Sequence, residues 1–70
     1  MTPEERFAAN LRRQRLANGL SQEQLAEKTG VHPSEVSRLE RAARDPRLST
    51  IVKVARGLGV SPERLVKGVK

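Results

Sequence analysis

This chain of 70 residues contains no cysteine, no tryptophan and no tyrosine, and Phe7 is its only aromatic residue. Without cysteine, the protein forms neither a disulfide nor a thiolate metal site. A single aromatic residue argues against binding of single-stranded nucleic acid, which usually stacks its bases on aromatic side chains. We therefore expect Phe7 to lie in the core.

Long apolar runs are also missing, and no signal-peptide pattern opens the chain. We expect a cytoplasmic protein without membrane spans. The length suits one domain over residues 1–70 and a small core, because a chain of this size buries only about 60% of its unfolded surface. We expect no effector or sensory domain, although the sequence also fits a fragment of a longer protein.

Acidic residues are outnumbered, since the chain has 14 Lys and Arg but only 8 Asp and Glu. The formal net charge is +6. Ten of the 14 are arginine, whose planar guanidinium binds phosphates and guanine edges through paired hydrogen bonds. This balance is typical of a polyanion-binding protein, but it also fits a solvated basic surface. Charge alone leaves the two interpretations about equal.

Helix signals occur five times along the chain, and no segment shows the alternation of a strand. The first helix begins at Thr2–Glu5, where a capping threonine precedes proline and two acids, and it ends at Gly19. Ser21 and Gln24 form a capping box before the second helix. The predicted helices cover about residues 3–18, 22–29 and 33–41, then a fourth that starts at Ser49 or in the preceding turn, includes Leu48 and ends at Gly59, and a fifth that begins at Ser61.

The segment QEQLAEKTGVHPSEVSRLER, residues 22–41, predicts two short helices around a tight turn. Leu25 and Ala26 face inward on the first helix, and Val36 and Leu39 face inward on the second. Gly30 lies where the chain reverses, at a position that favours a positive φ. This arrangement is typical of a DNA-binding helix-turn-helix, whose second helix lies in the major groove.

The longer segment GLSQEQLAEKTGVHPSEVSRLERAARDPRLSTIVKVARGLGVSPERL resembles the phage-repressor and Cro-like helix-turn-helix family, also called XRE, and the resemblance runs from about Phe7 to Leu65. It implies a compact all-α fold of five helices, similar to lambda repressor. It also implies a sequence-specific transcriptional regulator, a repressor or autoregulator, that binds double-stranded DNA. No catalytic constellation is present, so we expect no enzyme, cofactor, metal site or small-molecule ligand.

The predicted base-reading surface is the polar stripe of helix 3, on which Pro33, Ser34, Ser37, Arg38 and Arg41 fall. Arg38 is its best candidate, because a guanidinium that pairs with O6 and N7 of guanine contributes about 1–3 kcal/mol of discrimination. The base-reading positions of the family correspond to Pro33, Ser34 and Arg38, and Ser37 is a weaker candidate. Pro33 departs from the glutamine that is frequent there, so it offers only apolar contact.

Phosphate contacts are predicted around this stripe. Gln22 begins helix 2, where the helix dipole favours an anion, and the equivalent glutamine of the family binds a phosphate. His32 is expected to cap helix 3 or to lie beside a phosphate. For Arg12 and Arg13, a phosphate contact and a solvated face are equally good interpretations. The predicted phosphate-binding residues are Ser21, Gln22, His32, Arg41, Arg44 and Arg47.

Two charged residues lie on otherwise apolar faces. Arg15 continues the four-residue spacing of Phe7 and Leu11 on helix 1, and Glu40 flanks the buried face of helix 3. The family resemblance implies that Arg15 and Glu40 form a partly buried ion pair, with a structural role.

The fifth helix is the predicted dimer surface, through Leu65, Val66 and Val69. Two-fold dimers of such proteins read the half-sites of a palindromic operator, about 34 Å apart. A small controller-type protein, a Cro-like repressor and an antitoxin all fit a chain of this kind. Two other classes stay open: an antitoxin-type protein-interaction module that binds DNA secondarily, and an RNA-associated or coactivator adaptor on the same fold.

Overall fold

The computed structural model describes all 70 residues and consists of five α-helices joined by short loops. The helices are α1 Pro3–Ala17, α2 Gln22–Thr29, α3 Pro33–Glu40, α4 Leu48–Leu58 and α5 Glu63–Val66. No residue lies in a strand, so the all-α prediction is confirmed. Two predicted boundaries were displaced by one residue, since α1 and α3 each end one residue earlier, and α4 begins at Leu48, within the predicted range. No helix combines the length and the apolar character needed to cross a membrane.

The capping boxes of α1 and α2 are both formed. In α1, the N–H of Thr2 donates to Glu5 Oε1 at 2.7 Å and the N–H of Glu5 donates to Thr2 Oγ1 at 3.1 Å. These hydrogen bonds favour the ionised carboxylate, the bond from the backbone of Thr2 most of all, and lower the pKa of Glu5. In α2, Ser21 and Gln24 exchange the same two bonds. Both helix starts are therefore determined by residues three positions apart.

Gly30 makes the turn between α2 and α3. It adopts φ of 77°, and its N–H donates to the carbonyl of Ala26. A side chain there would be strained, because this conformation is left-handed. Val31 follows directly and is buried in the corner between the two helices. The turn thus places α3 against α2 with its apolar side inward.

All five helices contribute to one core, and α3 packs on two of the others. It packs against α1 and α2, while α4 packs against α2, and α5 packs against α1 and α4. Phe7 is buried, as expected. Burying the apolar side of α3 leaves its polar side at the surface. The core residues are Phe7, Leu11, Leu25, Ala26, Val31, Val36, Leu39, Val54, Ala55, Leu58 and Leu65.

The C-terminal helix differs from the prediction. It has only four residues, Pro62 occupies its cap position, and no side chain caps it. Leu65 is completely buried in the core, so the prediction that it lies at a dimer interface is wrong. The reason is that α5 packs directly on α1, which turns Leu65 inward. Val69 lies beyond the helix and packs against the edge of the core, and Val66 is 38% exposed.

Asn10 of α1 holds the end of α5, a contact that sequence patterns did not indicate. Its side-chain amide donates to the carbonyls of Leu65 and Lys67, both at 2.9 Å. Asn10 is itself buried. The bonds satisfy carbonyls that a helix end leaves without partners. They fix the last turn of the chain against α1.

Candidate nucleic-acid interface

The polar stripe of α3 lies at the surface. Pro33, Ser34 and Arg38 are exposed and Ser37 is half-buried, while Val36 and Leu39 on the other side are buried. The Arg38 side chain makes no hydrogen bond or ion pair within the protein. The structure therefore presents the four predicted base-reading residues together on one accessible face.

His32 caps α3. Its Nδ1 accepts the N–H of Ser34 at 3.1 Å and lies 2.7 Å from the Ser34 hydroxyl. Since Nδ1 accepts the backbone hydrogen, the ring proton of neutral His32 is on Nε2, the nitrogen that does not contact Ser34. The cap fixes the first turn of the helix and restrains the Ser34 hydroxyl.

The arginines that follow α3 differ in what they contact. Arg44 Nε lies 3.4 Å from Oε1 of Glu35, and the Arg44 side chain is 52% exposed. An exposed pair of this kind contributes only about 0–1 kcal/mol, but it holds Arg44 beside α3. Arg41 makes a long bond to the carbonyl of Ser37, and Arg47 is exposed. A basic surface therefore continues from α3 into the loop before α4.

The start of α2 offers two free backbone donors. The hydroxyl oxygen of Ser21 accepts the N–H of Gln24. The N–H groups of Gln22 and Glu23, in the first turn, donate to no protein acceptor. Such groups, at the positive end of the helix dipole, suit a phosphate oxygen.

Arg15 and Glu40 form a bidentate ion pair between α1 and α3. Arg15 Nε lies 2.6 Å from Glu40 Oε2, and Arg15 Nη2 lies 2.9 Å from Oε1. The two side chains are 10% and 4% exposed. The hydrogen bonds to Glu40 raise the pKa of Arg15, so the guanidinium stays charged. Arg15 Nη1 also donates to the carbonyl of Leu20 at 2.7 Å.

Gln22 joins this pair, a contact that sequence reasoning missed. Its Nε2 donates to Glu40 Oε1 at 3.1 Å. The two residues are 18 positions apart and on different helices, so no local spacing pattern could indicate the bond. One network therefore connects α1, the turn after it, α2 and α3.

Comparison with known protein families and sequences agrees with this architecture. The helix-turn-helix family model HTH_3 matches residues 11–65. The control protein C.SmaI of Serratia marcescens is 41% identical over 66 residues, which cover 94% of this chain and 79% of that protein. The control protein C.BamHI of Bacillus amyloliquefaciens is 36% identical over 61 residues, with 86% and 75% covered.

Solved structures show the same similarity. The restriction-modification controller protein C.AhdI from Aeromonas hydrophila has a TM-score of 0.86 and 40% sequence identity, covering 89% of this chain and 94% of that chain. The hypothetical transcription factor NHTF from Neisseria has a TM-score of 0.88 and 38% identity, covering 91% of this chain and 74% of that one. Both proteins therefore resemble this chain in sequence as well as in fold.

The ion pair predicts a stability effect. Arg15→Ala should lower the free energy of unfolding by up to about 3–5 kcal/mol, because it leaves the buried Glu40 carboxylate without its cation. Chemical denaturation followed by circular dichroism measures the change. Arg12→Ala is the matched control, since Arg12 lies on the exposed side of α1. Equal effects of the two substitutions would contradict a stabilising role for the pair.

Proposed function

The chain belongs to the HTH_3 helix-turn-helix family and is a DNA-binding transcription regulator, not an enzyme; we propose that it binds a palindromic operator as a homodimer. The family assignment confirms the predicted helix-turn-helix regulator and does not favour the antitoxin-module or RNA-adaptor alternatives. One observation carries the proposed contact with DNA: α3 is docked by the buried Val36 and Leu39, and Arg38 is exposed on the opposite side.

Base reading is assigned to α3, placed in the major groove. Arg38 supplies a guanidinium without an internal partner, which suits paired hydrogen bonds to guanine. Ser34 and Ser37 offer hydroxyls to neighbouring bases, and Pro33 offers an apolar contact to a thymine methyl. The assignment is supported by the shared exposure of these residues.

Phosphate binding is assigned to the groups on both sides of α3. On one side lie the free N–H groups at the start of α2, the Gln22 amide and the Ser21 hydroxyl, whose proton stays available while its oxygen caps the helix. On the other side lie the exposed arginines of the α3–α4 loop. These contacts position the helix but carry no sequence information themselves. The loop residues are Arg41, Arg44 and Arg47, and the Nε2–H of His32 adds a donor at the start of α3.

The names of the relatives suggest a more specific role. C.SmaI and C.BamHI are control proteins, and C.AhdI is a restriction-modification controller. We assign this chain to the same class, as a small controller that binds a nearby operator and regulates the expression of restriction-modification genes. The expected cytoplasmic location follows from that role.

A partly apolar groove supports the homodimer. Val66 and Val69 line it together with Phe7 of α1 and Ile51 of α4, and the rest of its lining is Pro3, Glu4, Asp45 and Pro46. Leu48, at the start of α4, is 75% exposed. A second copy related by a two-fold axis would cover this groove and place the two α3 helices in successive major grooves.

Duplex binding should depend steeply on salt. With about 6–10 phosphates contacted per dimer, affinity should fall about 10³–10⁵-fold between about 50 and 200 mM salt, because each contact releases condensed counterions. Fluorescence anisotropy with an operator selected from random duplexes measures this. A salt-independent affinity would contradict the proposed interface.

Arg38→Ala should reduce specificity. We expect a loss of about 1–3 kcal/mol on the selected operator and a relaxed preference at one base position, with a smaller change on scrambled DNA. Titration of both duplexes measures the difference. Arg64→Ala is the control, because α5 packs away from α3. If Arg38→Ala weakens both duplexes equally, Arg38 contacts phosphate and the base-reading assignment is wrong.

Val66→Asp should dissociate the dimer without unfolding the chain, because it buries a charge at the interface but leaves the monomer core unchanged. Analytical ultracentrifugation and thermal unfolding measure the two properties. Leu65→Asp should instead unfold the protein, since Leu65 is a core residue. Leu16→Asp, at an exposed position of α1, is the matched control. An unchanged mass for Val66→Asp would argue against this dimer surface.

A further inference from the structure

Glu40 makes more contacts than an ion pair requires. Its Oε2 accepts one bond from Arg15, while Oε1 accepts a second bond from Arg15 and a third from the Gln22 amide at 3.1 Å. The Glu40 side chain is 4% exposed. The Glu40 carboxylate is therefore fixed by Arg15 of α1 and can hold the Gln22 side chain of α2.

The Gln22 side chain has no other hydrogen-bond partner in the protein. The first residue of the neighbouring α3 is Pro33, which has neither a backbone N–H nor a polar side chain to offer. Without Glu40, the Gln22 side chain would sample many rotamers, and ordering it on DNA would cost conformational entropy. The bond to Glu40 removes part of that cost before DNA arrives.

The orientation of the amide follows from the chemistry of its partner. A carboxylate only accepts hydrogen bonds, so Gln22 must turn its NH₂ group toward Glu40. One amide hydrogen is used, while the second has no acceptor within the protein, as is also true of the backbone N–H groups of Gln22 and Glu23 in the same helix turn. Phosphate oxygens also accept only, so these three hydrogens form one donor set.

We propose that Glu40 is a positioning residue for DNA binding, which holds the Gln22 amide so that it completes a phosphate-binding site at the start of α2. Arg15 enables this role, because its bidentate contact neutralises a carboxylate that would otherwise repel the phosphate. The inference rests on the proposed binding of duplex DNA by α2 and α3. It adds a function to an ion pair that the fold requires in any case.

A double-mutant cycle tests the proposal. The paired replacement Arg15→Met with Glu40→Met removes the holder and keeps the core filled, since similar apolar replacements of buried ion pairs are often neutral or stabilising. It should weaken binding to duplexes of any sequence about tenfold when Gln22 is present, but less than about twofold in the Gln22→Ala background. Titrations are made at a temperature at which every variant is folded.

The outcomes separate the two proposals. Equal factors in both backgrounds overturn the positioning role, because a purely structural effect of the ion pair does not depend on Gln22. A wild-type protein that does not bind the duplex at all overturns the proposed interface, and the positioning role with it. Wild-type binding with a background-dependent factor supports both.

If the paired replacement does not fold, a measurement on the wild-type protein tests the proposal instead. NMR relaxation of the side-chain amides should show Gln22 ordered to a similar degree as Gln24, whose amide is held in the capping box. Gln14, whose side chain makes no hydrogen bond in the structure, is the mobile reference. If the Gln22 amide is as mobile as that of Gln14, Glu40 does not hold it and the inference is wrong.

Discussion

The contact between Arg15 and Glu40 is the interaction on which the candidate interface depends. α3 has only eight residues, and isolated helices of this length are marginal in water. Its position is set by Val36 and Leu39 below it and by Glu40 at its end. Because Arg15 also binds the carbonyl of Leu20, the same guanidinium fixes the turn that leads into α2. One arginine thus aligns both helices of the motif.

The candidate interface combines a helix backbone that is fixed at both ends with side chains that have few partners within the protein. The backbone of α3 is held by the His32 cap at one end and by the ion pair at the other. The side chain of Arg38, between them, makes no hydrogen bond or ion pair within the protein and is exposed. Arg44 differs, since it must leave or share Glu35 to reach a phosphate. This difference agrees with the proposed division between Arg38, which reads a base, and Arg44, which contacts the DNA backbone.

The small core explains the features at the other end of the molecule. A chain of this length has few apolar residues to bury, and Leu65 is used to close the core over α1. Val66 stays partly exposed outside the core and lines a groove with Val69, which is the surface of the proposed homodimer. On this interpretation, the homodimer serves both stability and the spacing of the two reading helices.

The local features of the fold follow from the sequence alone. Capping boxes, the glycine turn and the inward positions of Val36 and Leu39 each depend on residues within four positions of one another, so neighbouring residues determine them. Arg15 was conspicuous as a charge on an apolar stripe, and family resemblance supplied Glu40 as its partner. The tertiary structure alone decided the rest: the burial of Leu65, the bonds from Asn10 to α5, and the capture of Gln22 by Glu40. These contacts join residues 18 or more positions apart, and which side chains meet at that separation depends on how the helices pack, a property that no local pattern encodes.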